Sequence, residues 1–213
     1  MSLPLAWGDS PFLPTTPHRD SSVAHPRCQY IPAMNFTPAD HAAPPYHGDV
    51  ARVAVLTVSD SAAAGTRTDR SGDLLAERLA AAGHHVVARS VLPDEREAIA
   101  ALLRQWCDAG GCDVVITTGG TGLTPRDVTP EATLEVAERL VPALPLAIAL
   151  EGLRHTPYAA LSRGVAVIRG RTLIVNLPGS PKAVEDGLAV LLPLLDHAAE
   201  LLAGPVDHDV RAP

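Results

Sequence analysis

From Arg52 onward, short runs of consecutive apolar residues alternate with longer stretches in which apolar positions recur every three or four residues. That alternation is the mark of strands buried in a parallel sheet and amphipathic helices laid over it. Residues 53–58, 85–91 and 113–118 read as strands. Residues 73–82 read as a helix, with Leu74, Leu75 and Leu79 on one side and Gly83 just beyond its end. A second helix is opened by the capping-box spacing of Asp94 and Glu97. It carries Ile99, Leu102, Leu103 and Trp106 on one face up to Asp108 and stops at Gly110-Gly111. Residues 130–140 read as the third helix, after which an irregular apolar segment, broken by Pro142 and Pro145, runs through Leu153. Apolar runs at 165–168 and 172–176 flank Arg169-Gly170-Arg171 and predict a tight antiparallel hairpin. Ser180-Pro181 opens a last helix toward Leu202, split at Pro193 and stopped by Gly204-Pro205. The sum is an α/β fold: a three-layer α/β/α sandwich around a mostly parallel sheet with a late antiparallel hairpin.

Residues 1–48 depart from this pattern. They hold 9 of the chain's 20 prolines and no periodic apolar face, which predicts a flexible Pro-rich N-terminal extension. Residues 49–204 are the expected folded domain and 205–213 a short tail. The extension carries two Arg against three Asp, a net −1 of the chain's −7, so the acidity belongs to the domain. An acidic domain disfavours nucleic acid polymers and anionic membranes as partners. No apolar run is long enough to span a bilayer and the start lacks the pattern of a secretory leader, so a cytoplasmic protein is expected. Cys28, Cys107 and Cys112 form an odd set without C-x-x-C spacing, which gives neither a disulfide framework nor a zinc site; Cys107 and Cys112 read as packing thiols. The adjacent His84 and His85, at a strand entrance, read as exposed.

The candidate chemistry lies in four loops expected at the carboxyl ends of the parallel strands, where open α/β sheets bind ligands. Thr118, Gly119, Gly120, Thr121 and Gly122 follow a buried strand, and the three glycines allow positive φ angles that turn backbone N–H groups toward an anion. Asp127 comes next, just before Thr129-Pro130, where Thr129 can cap a helix. A carboxylate beside a phosphate loop can hold Mg²⁺; it can also simply complement a helix dipole. Asp94 has the same two readings, metal ligand or helix cap. Pro178, Gly179, Ser180 and Lys182 sit at a helix N-terminus, where free N–H groups attract phosphate, and Lys182 would oppose the dipole there unless a ligand compensates. The fourth loop holds Ser59, Asp60 and Ser61 with Asp69, Ser71 and Gly72; there Ser71 is a candidate cap and Asp69 a solvated acid. No nucleophile elbow or metalloprotease motif is present.

Four motifs in order, Thr117-Thr-Gly-Gly-Thr-Gly122, Pro125-Arg-Asp-Val-Thr-Pro-Glu-Ala132, Leu161-Ser-Arg163 and Asn176-Leu-Pro-Gly-Ser-Pro-Lys182, resemble the MoaB/Mog family of molybdopterin adenylyltransferases, related to the G domain of gephyrin. The resemblance covers about residues 50–204. It implies transfer of AMP from Mg-ATP to the terminal phosphate of molybdopterin with release of pyrophosphate, by a homo-oligomer expected to be a trimer. By the same resemblance Asp94 and Asp127 are the catalytic and Mg²⁺-binding carboxylates. Residues 118–122 and Pro178, Gly179, Ser180 and Lys182 are then the loops for phosphate-bearing ligands, and Ser162 and Arg163 a pocket motif. One segment departs from the family pattern: Leu146 stands where an acid is expected, and no Arg follows before Arg154. Two alternatives therefore stay open, a non-catalytic molybdopterin-binding member and a nucleotide-pyrophosphate hydrolase.

Overall fold

The computed structural model describes residues 50–204. The extension, the tail and Cys28 lie outside the described residues. Strand β1 (Arg52–Val58) leads through a single helical turn, α1 (Asp60–Ala63), to helix α2 (Arg70–Ala81). Then come β2 (His85–Leu92), α3 (Arg96–Asp108), β3 (Val114–Thr118), α4 (Thr129–Glu135), β4 (Arg139–Leu140) and α5 (Ala143–Leu153). A 3₁₀ turn (Pro157–Leu161), β5 (Ala166–Arg169), β6 (Thr172–Leu177), α6 (Pro181–Leu191), a second 3₁₀ turn (Leu192–Leu194) and α7 (Leu195–Ala203) complete the domain.

The six strands form one sheet in the order β2-β1-β3-β6-β5-β4. The β2–β1, β1–β3 and β3–β6 pairs are parallel, and β6–β5 and β5–β4 are antiparallel. Alternation along β1 sends Val53 and Val55 to one face and Ala54, Leu56 and Val58 to the other. Helices α2, α5, α6 and α7 cover the first face through Leu75, Leu79, Ile148, Leu188, Leu191 and Leu195. Helices α3 and α4 cover the second through Ile99, Leu103, Trp106 and Ala132. The expected three-layer sandwich is what forms, with all five residues of β3 buried between its layers.

Several local expectations change. The third helix ends at Glu135 rather than at residue 140. Beyond it, Glu138 N–H donates to Ile168 O and Val141 N–H to Ala166 O, so the chain adds a two-residue edge strand to β5. The irregular apolar segment is the regular helix α5. Pro142 is its N-cap and Pro145 lies in its first turn, where no intrahelical N–H bond is lost. Helix α2 begins three residues early because Asp69 caps it, accepting from Gly72 N–H at 2.9 Å, and Ser71 lies inside the helix. Asp94 caps nothing, since Glu95 holds the N-cap position of α3 without a side-chain bond. Thr129 likewise lies inside α4, after Val128. His84 is buried, its Nδ1 3.4 Å from Asp196, while His85 is exposed. The hairpin and the split at Pro193 appear as expected. Cys107 and Cys112 are free, buried thiols; burial pushes Cys107 up to about 12 and Cys112 higher still, so both fill space rather than react.

Candidate functional site

Strand order reverses between β1 and β3, with β2 outside β1 and β6 outside β3, so a crevice opens at their carboxyl ends. The loops after β1, β2, β3 and β6 all reach it. Gly119, at φ 97°, sits so close to the end of β1 that an added Cβ would lie 2.2 Å from Val58 O. Its N–H donates to Leu177 O, and a Cβ at Gly179 would lie 3.1 Å from its Cα. Thr118 Oγ1 ties the same two loops together by donating to Pro178 O at 2.9 Å. Gly120 also has positive φ, 62°, whereas Gly122 does not. Gly122 is small for another reason: a Cβ there would meet Asp127 Oδ2 at 3.0 Å.

The two singled-out carboxylates flank this glycine loop. A Cβ at Gly120 would lie 2.9 Å from Asp94 Oδ1, two residues from the glycine that Asp127 covers. Asp94 is held by the loop after the neighbouring strand β1. Its Oδ2 accepts from Asp60 N–H at 3.1 Å, and its own N–H donates to Asp60 Oδ1 at 3.0 Å. Arg126 grips Asp60 at 2.8 and 3.1 Å and Glu95 at 3.1 Å, which latches the glycine loop to the loops after β1 and β2. Asp127 is held locally, Oδ2 accepting from Thr124 N–H at 2.9 Å and Thr124 Oγ1 at 2.6 Å. Each carboxylate thus has one oxygen fixed, while its Oδ1 accepts no hydrogen bond from the described residues beyond the local turn.

Their electrostatics differ in sign. Burial pushes the Asp94 carboxyl up, and the nearby negative charges of Asp60 and Asp127 add to that, against the Asp60 amide. Burial also pushes Asp127 up, but the Thr124 hydroxyl, the Thr124 and Gly122 amides and the Arg163 charge together outweigh it and hold Asp127 below the usual range. Beside Asp94, the buried Thr129 Oγ1 has no hydrogen-bond partner and would lie 2.3 Å from a Gly120 Cβ. Two hard oxygen ligands, one of them strained by like charge, fit a small divalent cation that takes its other ligands from phosphate and water. No cluster of three or more His, Cys, Asp or Glu able to cage a metal occurs among the described residues.

The other candidates divide. Arg163 faces the loop rather than a ligand: it donates to Gly122 O at 2.6 Å and Asp127 O at 2.5 Å and pairs with Glu131, bracing both ends of the 122–127 turn. Ser180 caps α6, accepting from Ala183 N–H at 3.2 Å. Lys182 is compensated within its own helix by Asp186, 2.5 Å away, so the dipole gives no separate argument for a ligand. Asp69 is not a loose loop acid, since it also accepts from Thr57 Oγ1 at 2.8 Å.

Two cavities, about 420 and 260 Å³, open on either side of the loop and share Gly119, Gly120, Asp127 and Gly179. The larger runs under α5 and the first 3₁₀ turn, is walled by Pro145, Ile148, Ala149 and Leu161, and includes Thr121, Gly122, Ser162, Pro178, Ser180 and Asp186. The smaller is polar, with Thr57, Ser59, Arg67, Asp69 and Asp94. Arg126 and Asp186 are site residues that sequence reasoning passed over, and Asp60 stood in a candidate loop without a role of its own. Asp186 had a signal in its i,i+4 spacing from Lys182; the partnership of Asp60 with Asp94 spans 34 positions and had none.

Residues 54–197 match the model of the probable molybdopterin binding domain. The chain belongs to the MoaB/Mog family. Among solved members, MoaB from Thermus thermophilus, named as a molybdopterin biosynthesis enzyme, is 51% identical with a TM-score of 0.69, over 73% of this chain and 98% of that one. The molybdopterin adenylyltransferase of Helicobacter pylori J99 is 37% identical over 154 residues, 71% of this chain and 88% of that protein. The molybdenum cofactor synthesis protein cinnamon of Drosophila melanogaster is 44% identical over 153 residues. This chain spans about a quarter of cinnamon, 26% of its length. Leu146, where the acid of the MoaB/Mog pattern is missing, lies outside the cavities. Leu146 and Leu150 are 59% and 57% exposed, while their neighbours Pro145, Ile148 and Ala149 line the larger cavity.

Proposed function

We propose that this protein is a molybdopterin adenylyltransferase that transfers AMP from Mg-ATP to the terminal phosphate of molybdopterin. The observation that carries this is the meeting of two ligand-sized cavities at one glycine loop flanked by Asp94 and Asp127. A two-substrate phosphoryl reaction needs such a junction, with one substrate on each side and the reacting phosphates over shared backbone. The names of several relatives at about this identity, including the Helicobacter pylori protein, support the same reading.

An oxygen of the molybdopterin phosphate attacks the α-phosphorus of ATP in line with the departing pyrophosphate. The new bond joins that oxygen to the α-phosphorus, and the bond to the α,β-bridging oxygen breaks, its electron pair leaving on pyrophosphate. No covalent enzyme intermediate is needed. Backbone N–H groups of the glycine loop and of the α6 N-terminus, beside Gly179 and Ser180, offset charge on the phosphate oxygens. The latch of Arg126 on Asp60 and Glu95 and the brace of Arg163 keep Asp94 and Asp127 at the junction before substrate arrives. Asp94 and Asp127 would hold Mg²⁺, which supplies charge neutralisation to the transferring phosphate. The direct test incubates the protein with Mg-ATP and molybdopterin. Pyrophosphate and adenylylated molybdopterin are expected; absence of both with folded protein overturns the reading.

The active form is a homo-oligomer, a trimer, working in the cytoplasm. Helix α5, Ala143-Leu-Pro-Leu-Ala-Ile-Ala-Leu-Glu-Gly-Leu153, is apolar nearly all round, yet Leu146, Leu150 and Leu153 are exposed. A helix of that kind is ordinarily covered on every side, and a second copy of the chain would cover the outer one. No described helix is long and apolar enough to cross a membrane. Replacing both Leu146 and Leu150 by Glu should shift the sedimenting species from trimer to monomer. An unchanged sedimentation coefficient would remove α5 from the subunit contact.

A further inference from the structure

The larger cavity holds a buried acid that the transfer chemistry does not use. Asp186, on the first face of the sheet, is 6% exposed and lines the cavity wall. Its Oδ1 accepts from Lys182 Nζ at 2.5 Å and faces His155 Nε2 at 3.4 Å; His155 Nε2 also lies 3.6 Å from Glu151 Oε1. Its Oδ2 accepts no hydrogen bond from the described residues. That oxygen opens onto the cavity rather than into the packed interior, so it is an acceptor that a bound ligand's donor can reach. The surrounding wall, Pro145, Ile148, Ala149 and Leu161, is apolar and suits the faces of a flat ring.

The geometry points to Asp186 as the specificity-determining acceptor of this cavity, reading the adjacent ring N–H and amino donors of a 2-amino-4-oxopteridine. The inference rests on the reading of molybdopterin as the substrate and assigns its ring to the α5 side of the glycine loop. Donor pattern decides between the two substrates. A 2-amino-4-oxo ring presents two neighbouring N–H donors, which a carboxylate accepts side by side. Adenine presents a donor next to an acceptor, and the acceptor would face the carboxylate with no proton between them. The nucleotide is therefore left the polar cavity, with Arg67 and Arg70. Lys182 and His155 act on the ring only through Asp186, as positioning residues that orient the carboxylate from Oδ1; the second lone pair of Oδ1 and the open Oδ2 take the two ring donors.

Two measurements test this. In the unmodified protein, pterin and its 2,4-dioxo analogue lumazine compete with molybdopterin for binding; lumazine replaces the amino donor with an acceptor. Pterin is expected to compete at least about tenfold better, since a site built around a hydrogen-bond donor rejects an analogue lacking it. Asp186→Asn, which replaces one carboxylate oxygen by an amide NH₂ at almost unchanged volume, is expected to raise the Kd for molybdopterin at least tenfold and to erase the preference for pterin. Its Kd for Mg-ATP should stay within twofold. Equal competition by the two rings, no competition by pterin at millimolar concentration, or an unchanged Kd for molybdopterin in folded Asp186→Asn overturns the assignment. If that variant does not fold, the ring comparison decides alone. Ring preference without AMP transfer would leave Asp186 standing and remove the transferase reading; AMP transfer without ring preference would do the reverse.

Discussion

Asp127→Asn should lower the rate of AMP transfer by about 10² or more while barely moving the thermal midpoint, because a charge fixed beside the reacting phosphates is worth a few kcal/mol in the transition state and little to the fold. The asparagine oxygen can still accept from Thr124 N–H and Oγ1, so the turn that holds the side chain survives. The formal negative charge is lost, and with it the means to hold a cation at the junction. The small effect on stability has a definite sign. Asp127 titrates below the usual carboxylate range when folded, so its charge stabilises the native state above the unfolded pKa, and that contribution disappears as pH falls through the folded value. Asp127→Asn should therefore melt slightly below the parent protein at pH 7, with the gap closing as pH falls below about 4. Pyrophosphate release and melting curves at both pH values check the two halves; unchanged turnover in folded Asp127→Asn would take this residue out of the reaction.

What could be read from the chain and what could not follows the range of the forces involved. The buried run of β3, the glycines after it and the turn at Arg169-Gly170-Arg171 are local signals, and the structure keeps them. Asp94 is the instructive failure. Its spacing to Glu97 satisfies a capping box, yet its side chain takes the Asp60 amide on another loop, because the reciprocal pair of bonds to Asp60 ties down two loops where a cap would satisfy only its own helix end. The Leu140 segment carries a helical period but meets the free edge of β5, and that pairing wins. Pro142 and Pro145 read as breakers because proline is one inside a helix; at a helix start the missing N–H has no partner to lose, and no local pattern says which end of a helix is being read. The position of Leu146, outside the cavity, depends on how α5 rotates over α6 and is fixed by packing alone.

The same close approach that makes the loop useful leaves it electrostatically strained. Asp60, Asp94 and Asp127 surround a turn whose two guanidinium groups, Arg126 on Asp60 and Glu95 and Arg163 on Glu131, help hold Asp60 and Asp127 below the usual carboxylate range but leave Asp94 above it. Such an arrangement is expected where a cation belongs, since the native fold must hold like charges together until the cation relieves them.

Asp94→Asn puts that idea to a test with two opposite readouts: transfer activity should fall by about 10² or more, while the thermal midpoint at pH 7 should rise. The sign follows from linkage. Asp94 titrates above its unfolded value, so across the interval between the two pKa values the folded protein binds more protons than the unfolded chain, and stability declines as pH rises through it. Above that interval the ionised carboxylate is a standing cost to the fold. Asparagine removes the charge, and its side-chain oxygen can still accept from Asp60 N–H, so the latch remains. The gain should vanish below about pH 4, where Asp94 is protonated in both states. Millimolar Mg²⁺ should stabilise the parent protein more than the variant, narrowing the gap from the other side. A lower midpoint for Asp94→Asn at pH 7 would mean that the Asp94 charge holds the loops together, and that Asp60 and Asp94 repel less than the latch between them attracts.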